Sequence, residues 1–312
     1  MDTRLGLPAL LGLLLLAGAA TIALAGDGPA LTTINPDSAY PEGPAVVDGV
    51  LYYAEMGNDR VMRFDGESNT PIWERERCGP TAVAPLGDGS LAVLCHHEEV
   101  VARISPGGAL LDILDRDAEG RAFSNPNAAV SDGKGGVYFS SSGSFAPAAR
   151  ATGAVLHVDA SGAVRRLAED IHYANGVAVS PDGKLLYVSE HLGRRVLAFD
   201  IADDGSLSGR RSFVALDDLV GDEPERSWEV GPDGLNVDRD GNLVIAEYGA
   251  GRLLIVDRDG RLSATIPVPE RYVTASAFDA DQSHLFITAP ASLISPNSGA
   301  VYSIAYPIPA SE

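Results

Sequence analysis

The chain has 312 residues, 45% of them hydrophobic, and Lys+Arg 23 against Asp+Glu 43 leave a formal net charge of −20. A field of that sign argues against nucleic acid, anionic membrane surfaces and highly anionic ligands, and it favours metal cations. The 2 cysteines and 6 histidines form no grouping with zinc-finger spacing.

At the N-terminus, Arg4 precedes an almost unbroken apolar run that closes with Ala23-Leu24-Ala25 before Gly26-Asp27-Gly28. This is the layout of a secretory signal peptide over residues 1–25, ending in an A-x-A cleavage site. The rival reading is an uncleaved anchor, because the run is about long enough to span a bilayer. An exported protein is therefore expected, periplasmic or extracellular, meeting a membrane only if that segment is retained. Residues 26–39 read as a short lead-in and residues 40–312 as one repeat domain.

Residues 44–55 form an apolar strand, an Asp-Gly turn and a second strand ending in Glu55, and a third strand follows at 60–65. The same grammar returns at 175–190 with 195–200 and at 232–247 with 252–257, and weaker copies begin at Pro80, Pro126 and Val273. A small antiparallel unit of this kind cannot bury both faces alone. Repeats of about 35 to 60 residues built from strands are blades, so the expected fold is all-β, a six-bladed β-propeller with four-stranded antiparallel blades.

Cys78 precedes the first strand of the second repeat and Cys95 ends its second strand, ends that antiparallel pairing brings together. Either they form a disulfide, in keeping with export, or they are two small core residues. Glu55, Glu190 and Glu247 end second strands at equivalent positions, which predicts a shared structural bond in each blade. His96, His97 and His191 follow second strands and are expected on the surface, toward the opposite end from the channel mouth. Trp228 lies in an acidic insertion, 222–229, and reads either as part of a lid or as an ordinary loop contact.

The first residues of each innermost strand should meet at one mouth of the central channel. They are Glu42, Asn127, Asn175 and Asp233: two carboxylates and two carboxamides, all hard oxygen donors. Charged oxygens brought together repel, and a cation is the natural compensation. Oxygen-only coordination suits calcium, magnesium or manganese. The bland alternative is that Asp-Gly and Asn-Gly are merely turn dipeptides entering each strand. His172, just upstream of Asn175, is a candidate substrate contact, as are Thr274 and Ser276 at the start of the sixth repeat. Neither a G-x-S-x-G elbow nor a P-loop is present.

The ordered set Glu42-Gly43-Pro44, Pro126-Asn127, Asn175-Gly176 and Asp233-Gly234, each opening a repeat, resembles the senescence marker protein/gluconolactonase/luciferin-regenerating enzyme family. The similarity runs from about Tyr40 to about Tyr306. The resemblance implies a six-bladed propeller with one divalent metal, often calcium, in the channel mouth. It makes Glu42, Asn175 and Asp233 metal ligands and Asn127 the channel asparagine that touches metal, water or substrate. It further implies hydrolysis of sugar lactones or related esters, with Asp233 as base or nucleophile. The sequence departs from the family at Asn125, where some members carry a sugar-holding arginine, at Ala128, where aspartate is usual, and at Phe139-Ser140-Ser141-Ser142. These departures spare the metal set and bear on the sugar.

Two functions are thus expected from different classes: a metal-dependent hydrolase of small lactones or esters with Ca2+, or Mg2+, Mn2+ or Zn2+, or else a non-catalytic calcium-stabilised propeller that binds a ligand or protein partner. A monomer is expected in either case.

Overall fold

The computed structural model describes residues 21–22, 30–221, 226–293 and 298–307. The expected signal segment lies outside the described residues except for Thr21–Ile22, a short strand paired with Leu31 and Thr32. Residues 222–225 of the acidic insertion also lie outside. Among the described residues no helix is long and apolar enough to cross a membrane.

The described chain is almost entirely antiparallel strand. The exceptions are a 3-10 turn at Met56–Asn58 and a short α-helix at Leu216–Val220. Strands Pro126–Ser131 to Val164–Ile171, Ala174–Val179 to Leu207–Ala215, and Gly231–Val237 to Leu262–Pro267 each form a four-stranded meander. A five-stranded sheet joins Ala275–Phe278, His284–Pro290 and Gly299–Ala305 to Leu31–Asn35 and Thr21–Ile22. Leu31–Asn35, expected as a lead-in, is therefore a strand that ties the N-terminal region to the last repeat.

The first two repeats share one eight-stranded sheet, so five hydrogen-bonded sheets stand where six separate blades were expected. The cause is local. Pro41–Val47 and Pro80–Pro85 touch through a single parallel pairing, Gly43 opposite Ala82. A Cβ on Gly43 would lie 2.2 Å from the Thr81 carbonyl oxygen and 2.4 Å from the Ala82 Cα, so only glycine lets the two backbones come this close.

The core lies between the faces of successive meanders. Leu94 and Val101 pack with Phe139 and Leu156, while Val196 and Leu216 pack with Ile245 and Leu254. Tyr53 and Met62 meet Val301, which brings the first repeat against the last. Strands buried on both faces explain why second strands such as Leu91–Cys95 and Leu243–Tyr248 are buried throughout.

The Cys78–Cys95 pair is a disulfide with Cα atoms 4.5 Å apart, one of the two outcomes left open by the sequence.

Candidate functional site

The innermost strands place the candidate residues by a common device. Each begins in register with the end of the second strand, then slips by a bulge before the apolar run resumes. The register shifts fall between Glu42 and Ala45, Pro126 and Ala129, Ala174 and Val177, and Pro232 and Leu235. A bulge re-aims side chains locally, and here it leaves Glu42, Asn127, Asn175 and Asp233 lining one cavity of about 90 Å³. All four are buried.

The glycines after three of them do not make turns. A Cβ on Gly176 would sit 2.2 Å from the Asp233 carbonyl oxygen, and one on Gly234 would sit 2.6 Å from that of Thr274. Glu-Gly, Asn-Gly and Asp-Gly thus serve close approach of neighbouring inner strands around the axis. Serine hydroxyls tie carbonyls of the same strands: Ser189 donates to that of Asp233 and Ser142 to that of Ala174, both at 2.7 Å.

Glu42 and Asp233 are the two acids of this set. Burial raises both well above the usual carboxylate range, and for Glu42 the nearby Asp233 charge adds to it. Opposing this, the Gly43 N–H donates to Glu42, and the Asn175 side chain and Gly234 backbone donate to Asp233. Among the described residues neither carboxylate has an ion-pair partner.

The orientation of Asn175 follows from its neighbour. His191 Nε2 lies 2.8 Å from the Glu229 carbonyl oxygen, which can only accept, so Nε2 carries the proton. Burial pushes the His191 pKa down to about 4, which keeps Nδ1 bare near neutral pH. The bare Nδ1 accepts from Asn175 Nδ2 at 3.3 Å, and Asp233 takes the other amide hydrogen. Asn175 Oδ1 is thereby left buried with no partner. A buried acceptor with no partner, beside two buried carboxyl groups that have no ion-pair partner among the described residues, fits a hard divalent cation. Among the described residues no group of three or more His, Cys, Asp or Glu could hold a metal. The set here draws half its donors from asparagine, which falls outside that grouping.

The remaining wall is largely aromatic: Tyr40, Phe145, Tyr173, His191 and Tyr248, with Met56, Thr81 and His96. The Tyr40 and Tyr248 hydroxyls bond each other at 3.0 Å. The Tyr173 phenol is hydrogen-bonded with Ser142 and Asn127, and burial raises its pKa.

Several expectations are corrected here. Asn125 does not line the cavity; it adopts a left-handed φ of 54° and its amide donates to the His96 carbonyl at 3.2 Å. His172 does not line it either: its backbone N–H donates to Glu190 at 3.0 Å, and its Nε2 is buried without a partner. Thr274 spends its hydroxyl on the Pro41 carbonyl at 2.9 Å and on Thr288, fastening the last repeat to the first. Ser276 lines a separate cavity further along the channel, with Ala45, Val83 and Val177. His96 and His191 line the mouth instead of the opposite end, while His97 is exposed. The second strand runs antiparallel to the first, so its end returns to the mouth: Ala174 pairs with Glu190 and Gly231 with Tyr248. That register was the available signal for His96, His191 and Tyr248. For Tyr40 and Tyr173 it was their place just before an inner strand, where both adopt positive φ.

Glu55, Glu190 and Glu247 each meet the first arginine of the third strand, Arg60 at 2.6 Å and Arg195 and Arg252 at 2.5 Å. The expected shared bond is this ion pair.

Fold and site together define a β-propeller whose channel mouth is lined by buried hard-oxygen donors. The chain belongs to the SMP-30/Gluconolactonase/LRE-like family, matched over residues 40–291. It is 28% identical over 242 residues to an L-arabinolactonase of Azospirillum brasilense, covering 77% of this chain and 76% of that protein. Its fold is that of a gluconolactonase of Xanthomonas campestris, with TM-score 0.75 and 24% identity over 94% of this chain and 99% of the other. It is likewise that of regucalcin, a calcium-binding protein of Agrobacterium tumefaciens, with TM-score 0.72 and 20% identity over 91% and 97%.

Proposed function

We propose that the protein hydrolyses small lactones or related esters with a divalent cation, Ca2+ first and Mg2+, Mn2+ or Zn2+ as alternatives, held by Glu42, Asn127, Asn175 and Asp233. The observation that carries this reading is the convergence on a single cavity of one unpartnered amide oxygen and two buried carboxyl groups that lack an ion-pair partner among the described residues. Likeness to proteins named L-arabinolactonase and gluconolactonase supports the reaction class, and likeness to a calcium-binding regucalcin supports the ion.

When bound, the cation supplies Lewis acidity toward the lactone carbonyl oxygen. Asp233 takes a proton from the attacking water as the water oxygen bonds to the carbonyl carbon. It returns that proton to the ring oxygen as the C–O bond breaks, releasing a hydroxy acid. Direct attack by Asp233 is the variant of the same scheme. Asn127 donates an amide N–H to the oxyanion that develops, and the Tyr173 phenol holds it in place.

We also count the eight-stranded sheet as two blades, because among the described residues a single parallel pairing is the only strand pairing between its halves, and so read the propeller as six-bladed. Export is our reading of residues 1–25, supported by a disulfide that belongs in an oxidising compartment. A site contained in one chain needs no second subunit, and we take the protein to act as a monomer.

The test is proton release from γ- and δ-lactones by chelated protein, with and without added calcium. Metal-dependent turnover is expected, falling roughly 1,000-fold in Asp233→Ala. Turnover unaffected by chelation or by that substitution would refute the scheme.

A further inference from the structure

One side of the mouth is an aromatic shelf. Phe145 packs against Tyr173 at 4.7 Å, Trp228 at 5.0 Å and His191 at 5.2 Å between ring centroids. His191 continues to Tyr248, and Tyr248 to Tyr272. Phe145 lines the cavity and is 38% exposed, and Trp228, packed on it, is 47% exposed, so each of these large apolar rings presents bare surface.

The polar groups of the wall are already committed. Thr81 donates to the Leu94 and Pro126 carbonyls, and His96 Nδ1 bonds the Pro126 carbonyl. The hydroxyls of Tyr40 and Tyr248 hold each other, and both nitrogens of His191 are used. Among the described residues no lysine or arginine lines the cavity. Arg194 is bound to Asp217 and the Val230 carbonyl, and Arg271 to the Gly249 carbonyl and Glu229. A polyhydroxylated ring would bring several hydroxyls to a wall with few free partners, and each buried one left unpaired weakens binding. A planar apolar substituent would lose nothing and would gain ring stacking.

We propose that Phe145 and Trp228 are specificity-determining residues that select lactones bearing an aryl or similar planar apolar substituent over polyhydroxylated sugar lactones. The inference rests on the hydrolase reading above and narrows its substrate class. The probes are γ-phenyl-γ-butyrolactone, unsubstituted γ-butyrolactone and arabino-γ-lactone, compared by kcat/KM at saturating calcium. Wild type should prefer the phenyl lactone to the sugar lactone. The phenyl-to-unsubstituted ratio should fall about tenfold in Phe145→Ala and Trp228→Ala. Phe145→Leu, which keeps apolar volume and removes the ring, should lower that ratio as well. A preference for the sugar lactone, or a ratio indifferent to all three substitutions, would overturn the inference while leaving the hydrolase intact. If no lactone is turned over, the hydrolase reading falls and the shelf is judged by tryptophan emission. Saturable quenching by the phenyl lactone, lost in Trp228→Phe, would uphold aromatic recognition, and its absence would overturn that too.

Discussion

Two sets of acids lie buried at the same end of this propeller, and they are handled in opposite ways. Glu55, Glu190 and Glu247 each close on an arginine from the adjacent strand. Glu42 and Asp233, one strand nearer the axis, have no cation among the described residues, and burial raises both. Identical chemistry is satisfied in one ring and left open in the next. Paired acids in the outer ring fix the blades, whereas unpaired acids in the inner ring tax folding unless something positive arrives. Such a cost at a functional centre is the usual trade of stability for activity.

The contrast breaks first in the outer ring. Arg60→Ala leaves the fully buried Glu55 uncompensated, so a loss of about 3 kcal/mol in urea unfolding is expected. Arg60 is itself partly exposed, which keeps the expected loss at the low end. A loss below about 0.5 kcal/mol, the scale of a surface pair, would mean the outer pairs carry no structural load.

In the inner ring the sign reverses. For a carboxyl whose folded pKa lies above its unfolded value, the folded state holds more protons, so stability falls as pH rises between the two. Metal-free Glu42→Gln should therefore melt above metal-free wild type at pH 8, by about 2–4 °C. The gap should close as pH drops to about 4, where the free carboxyl is largely protonated in both states. A variant that melts lower at pH 8 would mean Glu42 is stabilised by contacts that burial and charge do not capture.

The all-β meanders and the place of Glu42 and Asp233 at the starts of inner strands were legible in the sequence because both are written in local, repeated signals. Pro-Glu-Gly, Asn-Gly and Asp-Gly mark the start of three inner strands, and the bulge behind each is part of the same repeat. What it carried poorly was everything set by register between strands. His96, His191 and Tyr248 reach the mouth because second strands run back toward it, and the same antiparallel geometry brings Cys78 to Cys95. Thr274 and Asn125 were placed at the right end, yet backbone carbonyls of neighbouring strands claim their side chains. Such claims depend on contacts far apart in the chain. The merging of the first two repeats into one sheet hinges on a single backbone approach at Gly43, below the resolution of any repeat pattern.

The most direct test is calorimetric titration of calcium into chelated wild-type protein and Glu42→Gln. One site per chain is expected in wild type, weakened at least tenfold in the variant, with calcium raising the wild-type melting temperature by linkage. A wild-type protein that takes up no divalent cation, or one that binds it equally well without the Glu42 carboxylate, would contradict the account.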